Sequence, residues 1–228
     1  MLDWPVHLMR KLIIAIDGPS GAGKGTISRN LSQALGYRHI DTGAMYRAVG
    51  WKADHDDIPL DDEAQVAALA ERADLVVEGG VVEIDGHDVT RAIRTPEIDR
   101  AATAVARLPR VREVLVARQR ALGESGGVVM EGRDIGTVVF PQADLKIYLD
   151  ASEEERARRR AADPAHTLSR GGQAAVAAAI AARDRSDTTR AASPLTLAAD
   201  AVHIDTTGVP IEDVVERVLS MVKEKLKV

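Results

Sequence analysis

The stretch GPSGAGKGT at residues 18–26 constrains the fold of this chain more than any other. KLIIAID (11–17) precedes it, a short apolar, β-branched run that reads as a buried strand. After it Ile27, Leu31 and Leu35 recur at helical spacing until Gly36 closes the pattern. A strand, a glycine loop and a helix start in that order aim successive backbone N–H groups and a positive dipole end at an anion. Gly18, Gly23 and Lys24 fit the phosphate-loop pattern G-x-x-x-x-G-K-[ST], with Lys24 expected to reach the β/γ-phosphates of a nucleoside triphosphate. The residue after the lysine should carry a hydroxyl for Mg²⁺, yet it is Gly25, and the hydroxyl arrives one place later at Thr26. No protein ligand to Mg²⁺ is therefore expected; phosphates and water should hold the ion.

Composition narrows the setting. Apolar residues are 45% and charged residues 29% of 228, as in globular proteins. With two Trp, three Tyr and one Phe, the core must be built from Ala, Val, Leu and Ile. The absence of cysteine excludes a disulfide framework, thiol catalysis and cysteine-rich zinc sites. Residues 1–10 lack the pattern of a signal peptide, and Leu12–Ile16 is far too short to span a bilayer, so a cytoplasmic protein with no membrane partner is expected. A formal charge of −5 argues against a nucleic-acid binder. A monomer is expected, since no unaccounted apolar stripe demands a partner.

Further strands are expected at 127–132, 144–150 and 201–205, with helices at 109–122, about 170–186 and 210–226. In the last, Ile211, Val214, Val215, Val218, Leu219, Val222 and Leu226 fall on one face. Strands alternating with helices imply a mostly parallel sheet covered on both faces. Residues 74–90 break that rhythm with two alternating runs and the turn dipeptides Gly79-Gly80 and Asp85-Gly86, which suggest a small antiparallel insertion. Residues 1–9 read as an N-terminal extension, with Met9 an alternative start.

Three further stretches carry chemistry. DTGAMYR (41–47) is a turn entering a helix, and EGRDIGTVVFP (131–141) puts charged groups at the carboxyl end of a buried strand, where α/β proteins bind ligands. In SEEERARRR (152–160) Ser152 and Glu155 form a capping box, and Arg156, Arg159 and Arg160 share a helix face. Arg158 reads as a solvated partner of glutamate. Asp163-Pro164 should end that helix, and His166 and the other histidines show no metal-ligand spacing.

The string GKGT is similar to that of nucleoside monophosphate kinases. Together with Arg133-Asp134-Ile135-Gly136-Thr137, LPRVREVLVARQR (108–120), RDRSDTTRAASPL (183–195) and the insertion, the chain resembles the bacterial-type cytidylate kinases from Lys11 to near its C-terminus. The resemblance implies an α/β fold, the three-layer α/β/α phosphate-loop NTPase architecture with a central parallel sheet. It implies a core from 10–41, 104–151 and 168–228, an acceptor-nucleotide lobe at 42–103 containing the antiparallel insertion, and a lid at 152–167. It implies ATP bound by Gly18, Pro19, Ser20, Gly21, Ala22, Gly23, Lys24, Gly25 and Thr26, with Mg²⁺, and CMP or dCMP as acceptor.

The resemblance places Ser20, Arg47, Arg133 and Arg190 at the acceptor phosphate, with Thr42 and Tyr46 at the lobe entrance. It places Arg183 and Asp187 at the ribose and Thr103, Arg112 and Asp134 at the base. Lys24, Arg133 and two lid arginines, Arg156 and Arg160, are the expected catalytic groups. Thr103 stands where relatives usually carry serine, and Ser186 where arginine is common. Two alternatives stay open: an acceptor such as UMP or AMP, or a nucleotide-dependent switch without turnover.

Overall fold

Ile13–Asp17 forms β1 at the middle of a sheet, with every side chain from Ile14 onward buried. Such a run is stable only where both faces are covered. The computed structural model describes residues 11–162 and 172–227. Among these the main sheet has five strands in the order β2–β6–β1–β7–β8, all paired parallel. They are β2 (Arg38–Asp41), β6 (Val128–Glu131), β7 (Leu145–Asp150) and β8 (Val202–Asp205) around β1. The strand period of two sends Ile14 and Ile16 to one face and Ala15 to the other. The first face packs on α1 (Lys24–Leu35) through Ile27 and Leu31 and on α8 (Ile211–Leu226) through Val214, Val218 and Val222. The second packs on Val116 of α5 (Pro109–Gly123) and on Ile135 and Val139 of a π-helical segment, Ile135–Val139. Three layers result.

The lobe expected at 42–103 follows β2. Asp41 caps α2 (Thr42–His55) by accepting from the Ala44 N–H at 3.0 Å, and α3 (Glu63–Arg72) packs beside it. Between α3 and α4 (Pro96–Val105) lies a second, antiparallel sheet of β3 (Leu75–Glu78), β4 (Val81–Ile84) and β5 (His87–Asp88). Two strands were expected here, and the short β5 after the Asp85-Gly86 turn is a third. The expected strands at 127–132, 144–150 and 201–205 are β6, β7 and β8. β2 was not foreseen, because RHID is an edge strand of mixed polarity with little periodicity to read.

α6 (Glu153–Ala162) and α7 (Gly172–Thr189) pack together through Ala157, Val176 and Ile180. The capping box at α6 is only half made. Ser152 Oγ accepts from the Glu155 N–H at 3.2 Å, but the Glu155 carboxylate pairs with Arg158 and Arg159. Ile211 also departs from expectation: it is 40% exposed at the cleft rather than in the core. The extension at 1–9, the Asp163-Pro164 stop, His166 and residues 163–167 of the expected lid lie outside the described residues. No helix among the described residues is long and apolar enough to cross a membrane.

Candidate active site

The carboxyl ends of β1 and β6 open into a cleft of about 690 Å³ between the two sheets and α6. On one side runs the glycine loop, whose Gly23 (φ 90°) caps α1 in the left-handed region that glycine adopts without strain. Lys24 is buried in the cleft wall and donates to the Pro19 carbonyl at 2.6 Å. Burial, and then the Arg133 cation, hold its ammonium well below the ordinary lysine value. Such a group gains most from a multiply charged anion placed beside it.

The loop is braced from behind. Asp17, at the end of β1, accepts from the Ile135 and Gly136 N–H groups at 2.8 and 2.7 Å, fixing the π-helical segment beside the loop. Burial pushes its carboxyl up to about 6. Arg156 was expected to reach into the cleft, and the structure corrects this. Its guanidinium is buried against the Ser20 carbonyl (3.1 Å), the Ala151 carbonyl (3.1 Å) and the Asp184 carboxylate. Asp184 in turn accepts from the Ser20 N–H at 3.1 Å. The helix face shared by the three arginines turns inward, so the first of them becomes a strut under the loop. A Cβ on Gly21 would lie 2.9 Å from this strut, which is why the loop needs glycine there.

Arg159, one turn on, does line the cleft. It donates to Thr206 Oγ1 and the Thr206 carbonyl at 2.9 and 2.6 Å, at the cleft edge formed by Val209, Pro210 and Ile211. Arg158 is 64% exposed and paired with Glu155, a solvated group as expected.

Across the cleft stands Glu131, at the end of β6 and buried, with His39 Nε2 2.8 Å from one carboxylate oxygen. The other cleft wall meets it at Gly25, where an added Cβ would lie 3.4 Å from Glu131 Oε1 in ordinary contact. Glu131 was legible only as the acid opening the Glu-Gly-Arg-Asp run. Thr42 Oγ1 is committed to the Glu131 carbonyl at 2.7 Å and ties α2 to the sheet.

Arginines and carboxylates interleave in the half of the cleft opposite the glycine loop. Arg133 donates to Asp187 at 2.9 Å, and Asp187 also lies 3.4 Å from Arg190. Arg47 Nε and Arg183 Nη1 each donate to Asp99 Oδ1 at 3.1 Å, and Arg160 pairs with Asp99 Oδ2. Burial would raise the Asp99 carboxyl, but Arg47, Arg183 and Arg160 outweigh it and hold the group far below the usual carboxylate range. Burial, with Arg133 and Arg47 as neighbours, lowers Arg183 to about 10. Asp99 was not foreseen, because in PEIDRAAT it reads as an ordinary first-turn helix acid.

Behind Arg133 sits a third set. Arg112 pairs with Asp134 in full burial and lies 5.4 Å above the Tyr46 ring. Arg190 was expected at the acceptor phosphate, but it lies on this inner side, 3.8 Å from Asp134 Oδ1. Burial pushes the Tyr46 hydroxyl up to about 12. Tyr46 Oη, Arg112 Nε and Arg190 Nη2 are buried and make no hydrogen bond among the described residues. Thr103 donates to the Asp99 carbonyl at 2.8 Å, one turn back on α4.

A family model described as cytidylate kinase matches residues 14–224. A cytidylate kinase of Desulfitobacterium hafniense is 48% identical over 227 residues, covering 96% of both chains. One of Pelotomaculum thermopropionicum is 51% identical over 214 residues, covering 92% of this chain and 95% of its own. Among solved structures, a gluconokinase from Sinorhizobium meliloti superposes with a TM-score of 0.50 at 14% identity, covering 96% of each chain. That likeness concerns the phosphate-loop kinase fold alone.

Proposed function

The chain belongs to the cytidylate kinase family, and on that premise we propose how its cleft passes a phosphoryl group from ATP to CMP or dCMP. The donor triphosphate lies along Gly18–Thr26, where loop N–H groups and the α1 dipole meet its oxygens. Its base rests on the apolar edge of Val209, Pro210 and Ile211, under the Arg159 guanidinium. Lys24 leaves the Pro19 carbonyl for the β/γ-phosphates.

The acceptor phosphate meets Ser20, Arg47 and Arg133, with Arg183 and Asp187 at the ribose. No general base is needed. The attacking atom is a phosphate oxygen whose second pKa is about 6, so it is ionised at neutral pH. Transfer is then alignment plus charge stabilisation by Lys24, Arg133 and Arg160. Mg²⁺ fits the chemistry of the site, because Glu131 is a buried hard-oxygen donor facing the phosphate loop beside Gly25 and Thr26. Those residues would hold it through its waters, and when bound it would supply positive charge against the phosphates. A monomer in a reducing cytoplasm is the setting we assign.

Base selection is supported by one observation above others: Arg112 and Arg190 both pair with the buried Asp134, and beside them Arg112 Nε, Arg190 Nη2 and Tyr46 Oη are buried without a hydrogen bond among the described residues. Buried polar atoms without partners suit a polar heterocycle that supplies them. Cytosine has an N4 amino group for a carboxylate and N3 and O2 acceptors for an arginine, whereas uracil reverses the pattern at positions 3 and 4. An unpaired buried group costs ~1–3 kcal/mol, or roughly ten- to a hundredfold in selectivity. With Mg-ATP and a panel of CMP, dCMP, UMP, AMP and GMP, diphosphate should form preferentially from CMP and dCMP. Asp134→Asn should shrink the CMP-to-UMP ratio by that factor. Equal rates across the panel would sink the assignment.

A further inference from the structure

Asp99 joins three parts of the molecule that the acceptor nucleotide must also join. Arg47 comes from α2, Arg160 from α6 and Arg183 from α7, and all meet the one carboxylate on α4. The four side chains are each no more than 17% exposed, so the charges interact with little screening. Guanidinium groups this close repel one another unless an anion sits among them. Asp99 is that anion in the substrate-free protein, and Asp187 does the same for Arg133.

We propose that Asp99 is a resident counter-anion of the acceptor-phosphate site, a positioning residue that preassembles Arg47, Arg160 and Arg183 and must yield hydrogen bonds to the incoming monophosphate. This rests on the acceptor reading above. Its consequence is a competition. The phosphate has to take Arg47 from a carboxylate that also holds Arg160 and Arg183, so part of its binding energy is offset. Affinity for the acceptor is thereby set below what the arginines alone would give. The same carboxylate keeps α4 tied to α6 and α7 when no nucleotide is present.

Removing the charge while keeping the shape isolates the effect. Titrating CMP into Asp99→Asn by calorimetry should give a Kd about tenfold lower than in the wild type, the scale of one competing charge-assisted bond. Inorganic phosphate should also bind more tightly. Cytidine, which lacks the phosphate, should bind within about twofold of wild type, and Asp99→Glu should stay close to wild type for all three ligands. In turnover the change should appear in the KM for CMP and not in the KM for ATP. If Asp99→Asn does not fold, Asp99→Ser enters the same titrations.

Unchanged or weaker CMP binding in the folded charge-removed variant overturns the inference, as does equal tightening of cytidine. A wild type that does not phosphorylate CMP would instead overturn the acceptor reading. A wild type that does so, with no tightening in the variant, overturns only the role of Asp99.

Discussion

The two sides of the cleft prepare for anions in opposite ways. Around residues 18–26 the charge acceptor is mostly backbone, held by Gly21 and Gly23 and braced by Asp17 and Arg156 from behind. Its buried cation, Lys24, donates to a neutral carbonyl. On the acceptor side the same task falls to arginines on α2, α6 and α7, each already paired with a carboxylate. A backbone cradle needs no counter-ion, because N–H dipoles repel weakly. A guanidinium cluster cannot stand alone in a buried site, so the acceptor half carries its own acids.

The largest expected effect lies on the donor side. Lys24→Ala should lower kcat by at least about a thousandfold, as loss of a charge aimed at the transferring group does. A smaller loss, read by steady-state kinetics, would mean that the backbone alone carries the donor half. Next is Arg112→Met, which takes the hydrogen-bonded cation from the buried Asp134 and leaves it the more distant Arg190 at 3.8 Å. Urea denaturation should show about 3–5 kcal/mol of lost stability, and a change under 1 kcal/mol would show the acceptor acids to be solvated.

Asp17 follows, at roughly 3 kcal/mol. Its folded pKa of about 6 exceeds the ordinary 3.8, so the folded state holds the proton more tightly. The stabilisation is complete below pH 3.8 and is lost as pH rises through 6. The difference in unfolding free energy between wild type and Asp17→Asn should therefore change across that window and be flat above pH 7. A flat difference throughout would mean that folding leaves the Asp17 carboxyl at its ordinary pKa. Smallest is Arg183→Ala, expected to raise the KM for CMP about tenfold with little change in the KM for ATP. An equal rise in both would erase the division between the halves.

What the sequence disclosed follows the same line. The phosphate loop, β1, α1 and α8 were legible because local pattern determines them: glycine spacing, β-branched runs and a helical stripe. Arg133, Asp134 and Arg112 were legible through resemblance. Asp99 and Glu131 were not assigned, because each acquires its meaning from residues far along the chain, such as Arg183 and His39. Arg156 was misplaced for a related reason. Helical spacing says which residues share a face but not whether that face looks at the cleft or beneath the loop. β2 escaped because edge pairing to β6, rather than its own composition, makes RHID a strand.

On the proposed reading, the donor and acceptor halves bind their nucleotides separately and meet only at the transferring group. Calorimetric titration of CMP into Lys24→Ala tests it most directly. A CMP affinity within about threefold of wild type, in a protein that no longer turns over, is the predicted result; an order of magnitude or more is what loss of a direct charged contact would produce. Loss of CMP binding together with turnover would contradict the division.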